Sequence, residues 1–212
     1  MTVNTDHIAW LGHDGFRLSG SRVVYIDPWE AGGPQADLIL ISHDHYDHCD
    51  PETVRALSGP KTQVVTEASA ATRLKEAGVN VPLTVVEPGD EIEIYGVTVK
   101  VMPAYNVNKD FHPQARNYIG FLLNLDGLSV YHAGDSDFIP EMRGLTAQVA
   151  LLPVSGTYVM TAEEAVQAAL AIKPEVAIPM HYAKIIGDAA MAERFRDALK
   201  GQVEVVIKTV QP

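Results

Sequence analysis

Ile41-Ser42-His43-Asp44-His45-Tyr46-Asp47-His48 places three imidazoles and two carboxylates within six residues, directly behind the apolar run Leu38-Ile39-Leu40. A solvated turn has no need of that density. Neutral imidazole nitrogens and carboxylate oxygens are ligands for Zn, Mn or Fe, and a loop leaving a strand can turn alternate side chains toward one point. The spacing reads as a metal-binding loop in which His43 and His45 share one cation. Asp47 and His48 then project toward a second, roughly 3.5–4 Å away as in two-metal sites generally.

Working outward, the runs at residues 7–12, 15–20, 22–28 and 36–43 are short, β-rich and separated by Gly, Ser and Asp turns, which predicts an antiparallel meander. Downstream, Asp50-Pro51 offers a cap followed by a first helical turn, and residues 66–78 predict a helix with Ala70 and Leu74 inward and Gly78 at its end. Residues 84–102 carry two strand candidates joined near Tyr95-Gly96, and Asp126-Gly127 suits the tight turn of a hairpin. Thr161 and Glu164 have capping-box spacing before the apolar face Ala165, Ala168, Ala169 and Ile172. Residues 188–200 repeat the helical period through Phe195 and Leu199, with strands expected at 176–179 and 203–208. Two β-rich halves that each close with helices predict an α/β protein built as a four-layer αββα sandwich. No Pro, Gly or Ser-rich linker divides it, so residues 1–212 read as one domain.

Composition narrows the function. A formal net charge of -11 argues against a broad basic surface for nucleic acid. It leaves an anionic small molecule open as substrate, because two divalent cations make an acidic protein's pocket attractive to an anion. No run approaches the ~20 apolar residues of a membrane span, and the start MTVNTDHIAW lacks a basic segment followed by an apolar one. A soluble, cytoplasmic protein is expected. The single cysteine, Cys49, has no partner for an internal disulfide and reads as a small packed thiol. A homo-oligomer is compatible with the sequence, which does not separate sheet edges from interfaces.

H-x-H-x-D-H behind a strand resembles the signature of the metallo-β-lactamase superfamily, and further landmarks run along most of the chain. Asp27-Pro28 precedes the motif, His132-Ala133-Gly134-Asp135-Ser136 follows a strand, and Leu152-Pro153-Val154-Ser155-Gly156 and Pro179-Met180-His181-Tyr182 complete the order. That order is similar to the ascorbate-6-phosphate lactonase-like branch. The resemblance implies the metallo-β-lactamase fold, Asp135 bridging two metals, and His181 completing the second site with Asp47 and His48. It also implies supporting roles for Asp27, hydrogen-bonded behind a ligand imidazole, and for His132 beside the Asp135 turn. Taken singly, Asp135 reads equally well as a turn aspartate, and His181 reads more readily as a structural imidazole than as a ligand.

The sequence departs from the family at one point. Many relatives supply a third histidine to the first site after the strand corresponding to residues 97–102, where this chain reads Pro103-Ala104-Tyr105-Asn106-Val107-Asn108. Asn106 through its carbonyl oxygen, His112 from the following loop, or water are the alternatives for that position. Lys109, His112 and Arg116 suit an anion near the cations, and His13 in its Gly-His-Asp-Gly turn is a further candidate for substrate contact.

The leading reading is a metal-dependent hydrolase with two divalent ions, Zn first and Mn or Fe as alternatives. In that reading a metal-bound hydroxide attacks a small ester, lactone or phosphate-containing substrate, and Asp47 orients it or passes its proton onward. Two other classes stay open. His43, His45 and Asp135 would form the two-histidine, one-carboxylate face of a mononuclear iron enzyme. A metal-binding module without turnover would keep the same ligands.

Overall fold

The computed structural model describes residues 3–211. Strands β1 (Ile8–Gly12), β2 (Gly15–Ser19), β3 (Val23–Ile26), β4 (Ala36–Ile41), β5 (Ser58–Thr66) and β6 (Leu83–Val85) form a first sheet in that spatial order. A second sheet has β7 (Glu91–Ile94), β8 (Val97–Pro103), β9 (Ile119–Leu125), β10 (Leu128–His132), β11 (Val149–Pro153), β12 (Val176–Met180) and β13 (Glu204–Val205), again as sequential neighbours. Helices α1 (Pro51–Leu57) and α2 (Ala68–Glu76) follow β4 and β5, and α3 (Ala162–Ile172) and α4 (Ala189–Leu199) follow β11 and β12.

The layers follow from side-chain alternation. In β4, Leu38 and Leu40 join the core between the sheets, with Phe16, Val99 and Phe121 among their company. The intervening Ile39 and Ile41 pack on the other face with Val54 and Leu57 of α1 and Ala70 and Leu74 of α2. A strand buried on both faces must read as a continuous apolar run, as this one does. Ala165, Ala168 and Phe195 bring α3 and α4 onto the outer face of the second sheet. The result is the αββα sandwich.

The expected meander is corrected at its last step. β1, β2 and β3 are antiparallel, but β3 and β4 run parallel, Val24 opposite Leu38 and Ile26 opposite Leu40. The connection over residues 27–35 is the cause: it carries the chain back to the starting end instead of turning a hairpin. β5 lies in a stretch not recognised as a strand, because its opening Ser-Gly-Pro-Lys lacks an apolar alternation. The strand expected at 203–208 is only two residues long, pairing Val176 and Ala177.

Local signals elsewhere set the element ends. Asp50 accepts from the Glu52 amide at the start of α1. Thr161 and Glu164 form a reciprocal capping box on α3, at 3.1 and 2.8 Å. Asp126 and Gly127 both adopt positive φ, 54° and 84°, as the two-residue turn between β9 and β10 requires. None of the described helices is long and apolar enough to cross a membrane.

Gly120 in β9 marks the closest approach of backbone to the β10 exit: a Cβ there would lie 2.6 Å from the His132 carbonyl oxygen and 2.8 Å from that of Ala133. Gly120→Ala is expected to cost about 1–3 kcal/mol, the usual penalty of forced overpacking. Urea denaturation checks this: the midpoint should fall with an unchanged slope, and a midpoint equal to wild type would show that the strand end yields freely.

Candidate metal centre

Three strands of the first sheet, β3, β4 and β5, run parallel to one another, as do three of the second, β10, β11 and β12, and their C-terminal ends discharge at the same edge. Asp27, the 42–48 loop, Asp135, Ser155 and His181 all stand just beyond such ends. Clefts beyond the carboxyl ends of parallel strands are where α/β sheets hold ligands.

The donors fall into overlapping groups. His43, His45 and His112 bring ligand atoms within 4.8 Å of one another. His13, Asp47, His48 and His181 form a second group by the same measure, and Asp14, His48, Asp135 and His181 a third. Asp135 lies between the first histidine group and the rest: its Oδ2 is 3.2 Å from His112 Nε2 and 3.3 Å from His181 Nε2, and its Oδ1 is 3.4 Å from His48 Nε2.

Four imidazoles are aimed by the nitrogen that faces away. His43 Nδ1 meets Ser42 Oγ at 2.9 Å, His48 Nδ1 meets Asp27 Oδ2 at 3.0 Å, His112 Nδ1 meets the Tyr158 carbonyl at 3.2 Å and His181 Nδ1 meets Ser155 Oγ at 2.8 Å. A carbonyl can only accept, so His112 carries its proton on Nδ1. Ser42 Oγ donates to Asp27 Oδ2 at 2.6 Å and therefore accepts from His43. In His43, His48 and His112 the proton on Nδ1 is thereby fixed and Nε2 is turned to the centre, the arrangement that sets ring orientation in metal sites. His43 Nε2, His48 Nε2 and Asp135 Oδ1 are buried without a hydrogen-bond partner. Orphans of this kind cost about 1–3 kcal/mol each unless a partner arrives. A cation fits this donor set.

The beta-lactamase superfamily domain model matches residues 7–181. The chain belongs to the beta-lactamase superfamily. A UPF0173 metal-dependent hydrolase of Thermoplasma acidophilum is 36% identical over 210 residues, spanning 92% of this chain and 91% of its own. Another, from Pyrococcus abyssi, is 32% identical over 216 residues, spanning 94% and 95%. Among solved structures, a candidate metal-dependent hydrolase from Parabacteroides distasonis superposes with a TM-score of 0.84 at 31% identity, over 96% of this chain and 93% of that one.

The loop after β8 brings His112, and not Asn106, beside His43 and His45. Asn106 does not face the centre: its Nδ2 donates to Asp137 Oδ1 and the Tyr158 carbonyl, and its Oδ1 accepts from the His112 amide at 2.8 Å. The Asn106 amide donates in turn to the His112 carbonyl at 2.7 Å, closing the neck of the loop and setting His112 beside His43 and His45. Lys109 and Arg116 are not in the lining of the cavity over the centre. Lys109 Nζ sits 2.6 Å from Asp137 Oδ1, and Arg116 binds Asp44 and Tyr118. His13 lines the cavity and is engaged there by Asp47, its Nε2 standing 2.9 Å from Asp47 Oδ2. His132 faces away from the donors, accepting from the Gly134 amide and donating to the Asp14 carbonyl.

Sequence reasoning missed Asp14 and Asp137. Asp14 is buried with neither carboxylate oxygen bonded, 3.8 Å from His48 Nδ1; its place in the turn beside His13 was the available signal. Asp137, which holds Lys109 and the 107 and 108 amides, left no signal beyond its closeness to Asp135.

Burial and charge set the protonation states. Burial takes His43 well below a free imidazole, and lowers His13 to about 4. Burial would do the same to His48, but Asp135 and Asp27 hold it well above. Burial raises Asp14, reinforced by the charge of Asp135. Burial opposes ionisation of Asp47, yet the His13 hydrogen bond and the charge of His48 hold it down at about 2. The centre thus gathers negative charge around positions that attract protons or cations.

Two measurements follow. Asp27→Ala leaves the Ser42 amide and His48 Nδ1 without their acceptor, and metal affinity read by chelator competition is expected to fall roughly 10- to 100-fold; unchanged affinity would show that His48 keeps its orientation unaided. Cys49 is fully buried and its thiol is pushed up to about 12 by that burial. The native chain should therefore resist a disulfide reagent at pH 8 and react promptly in guanidinium, whereas fast labelling of the folded chain would contradict the packing.

Proposed function

We propose that this chain is a metal-dependent hydrolase with two divalent cations, acting on a small ester, lactone or phosphate-containing substrate. The position of Asp135 between the histidine groups is the observation that carries the reading. One carboxylate reaching donors on both sides is the arrangement a bridging ligand needs. His43, His45 and His112 would hold one cation, and Asp47, His48 and His181 the other, with His13 on Asp47. The UPF0173 metal-dependent hydrolases of similar sequence support the same chemistry. Zn suits this nitrogen and oxygen set, and Mn and Fe accept it as well.

Cations at such positions supply Lewis-acid polarisation of a substrate oxygen and make a water acidic near neutral pH. The chain supplies orientation. His13 occupies Asp47 Oδ2, and Asp47 itself lines the cavity. Held at about 2, the Asp47 carboxylate is charged throughout the neutral range and accepts a hydrogen bond from a water or a leaving group there. His112 and His181, both lining the same cavity, fix the approach of the bond to be broken. With a buried carboxylate between two furnished donor groups, a single iron on one two-histidine face would leave half of the donors without purpose.

Elemental analysis of protein purified without added metal tests the reading. About two equivalents are expected, falling toward one in His48→Ala or His181→Ala. Turnover of lactones, esters or phosphodiesters should be lost in Asp47→Ala with the metal content of its first group retained. A single iron, unaffected by those two variants, would overturn the proposal.

A further inference from the structure

The cavity over the centre encloses about 540 Å³, the size of a small-molecule site. Its floor is the donor set. Its rim is of a different character: Tyr46, Phe111 and Ile185 line it, and all are among the large apolar side chains the surface leaves exposed, at 56%, 51% and 41%. These walls are braced, Tyr46 edge-on against Trp29 at 5.8 Å and Phe111 against Tyr158 at 4.7 Å. Apolar surface gathered at one mouth is a recognition feature.

One arginine lines this cavity. Arg73, on α2, is held by its Nε, which donates to the Cys49 carbonyl at 2.9 Å, immediately behind the metal-binding loop. Its two terminal nitrogens have no hydrogen-bond or ion-pair partner among the described residues. Nearby cations are already matched: Lys109 by Asp137 and Glu164, Arg116 by Asp44, Lys184 by Glu30 and the face of Trp29. Among the described residues that line the cavity, Arg73 alone offers a planar pair of cationic donors, and such a fork matches a carboxylate or phosphate.

We propose that Arg73 selects an amphiphilic anion: a substrate whose apolar body lies between Tyr46, Phe111 and Ile185 and whose carboxylate or phosphate, remote from the bond to be broken, binds the Arg73 guanidinium. This deepens the hydrolase reading and rests on it for the reaction, although the binding preference stands on the cavity itself. Arg73 is a specificity residue here, with no part in bond breaking.

Calorimetric binding of 4-phenylbutanoate and of its neutral amide to the metal-loaded protein tests it without requiring turnover. Wild type is expected to prefer the carboxylate, and Arg73→Gln to lose roughly 10- to 100-fold of that preference, the worth of a charge-assisted hydrogen bond. Arg73→Lys should retain part of it, and amide binding by both variants verifies that the cavity is still folded. If Arg73→Gln holds the carboxylate as selectively as wild type, the anion sits on the metals and the proposal fails. If both variants lose the amide as well, Arg73 is a structural tie between α2 and the loop, and the proposal likewise fails. Should the carboxylate preference depend on Arg73 while no ester or lactone is ever turned over, the selection stands and the hydrolase reading alone falls.

Discussion

A single buried carboxylate, that of Asp27, ties the fold to the centre. It accepts from the Ser42 amide at 2.7 Å, from Ser42 Oγ at 2.6 Å and from His48 Nδ1 at 3.0 Å. Through Ser42 it also governs His43. An unpaired buried charge costs far more than these hydrogen bonds return, so Asp27 can sit at the end of β3 only if the loop after β4 wraps around it. The parallel pairing of β3 and β4 brings the two strand ends together for this purpose. The position of His48 is therefore decided by the sheet.

Backbone conformation at the same edge shows what that requirement demands. His13, Asp27 and His181 all adopt positive φ, between 43° and 58°. For residues with a Cβ this is an uncommon conformation, costing on the order of 1–3 kcal/mol each, and it persists only where the surroundings over-determine it. His181 is held there by donating its amide to the His13 carbonyl, so two such residues from opposite sheets fix one another. Three of the nine described non-glycine residues with positive φ thus stand where the donors converge.

The legibility of the chain follows the range of the forces involved. Caps, the Asp126-Gly127 turn and the helical faces are local, and each is visible in a few residues. The layer order was readable because apolar alternation reports burial directly. The H-x-H-x-D-H segment stood out because its donors are contiguous. What escaped was set by long-range pairing: the parallel run of β4 beside β3, the strand β5 with its polar opening, and the paths of the side chains in the loop after β8. Lys109 looked free for an anion in sequence, but nothing in the sequence foretold that Asp137 would fold back onto it. Arg73 went unnoticed because on α2 it has the ordinary appearance of a surface helix residue.

The loop that carries His112 has a further bearing on how such a protein changes over generations. Its neck is closed by reciprocal bonds between Asn106 and His112, and the residues between them contribute no donor to the centre. Phe111, on the cavity rim, belongs to that enclosed stretch. Mutation can thus revise the wall that meets a ligand, in identity or in length, while the imidazole beside it stays where it is. The residue that shapes the wall and the one that stands among the donors are thus held by different contacts, although they are neighbours in the chain.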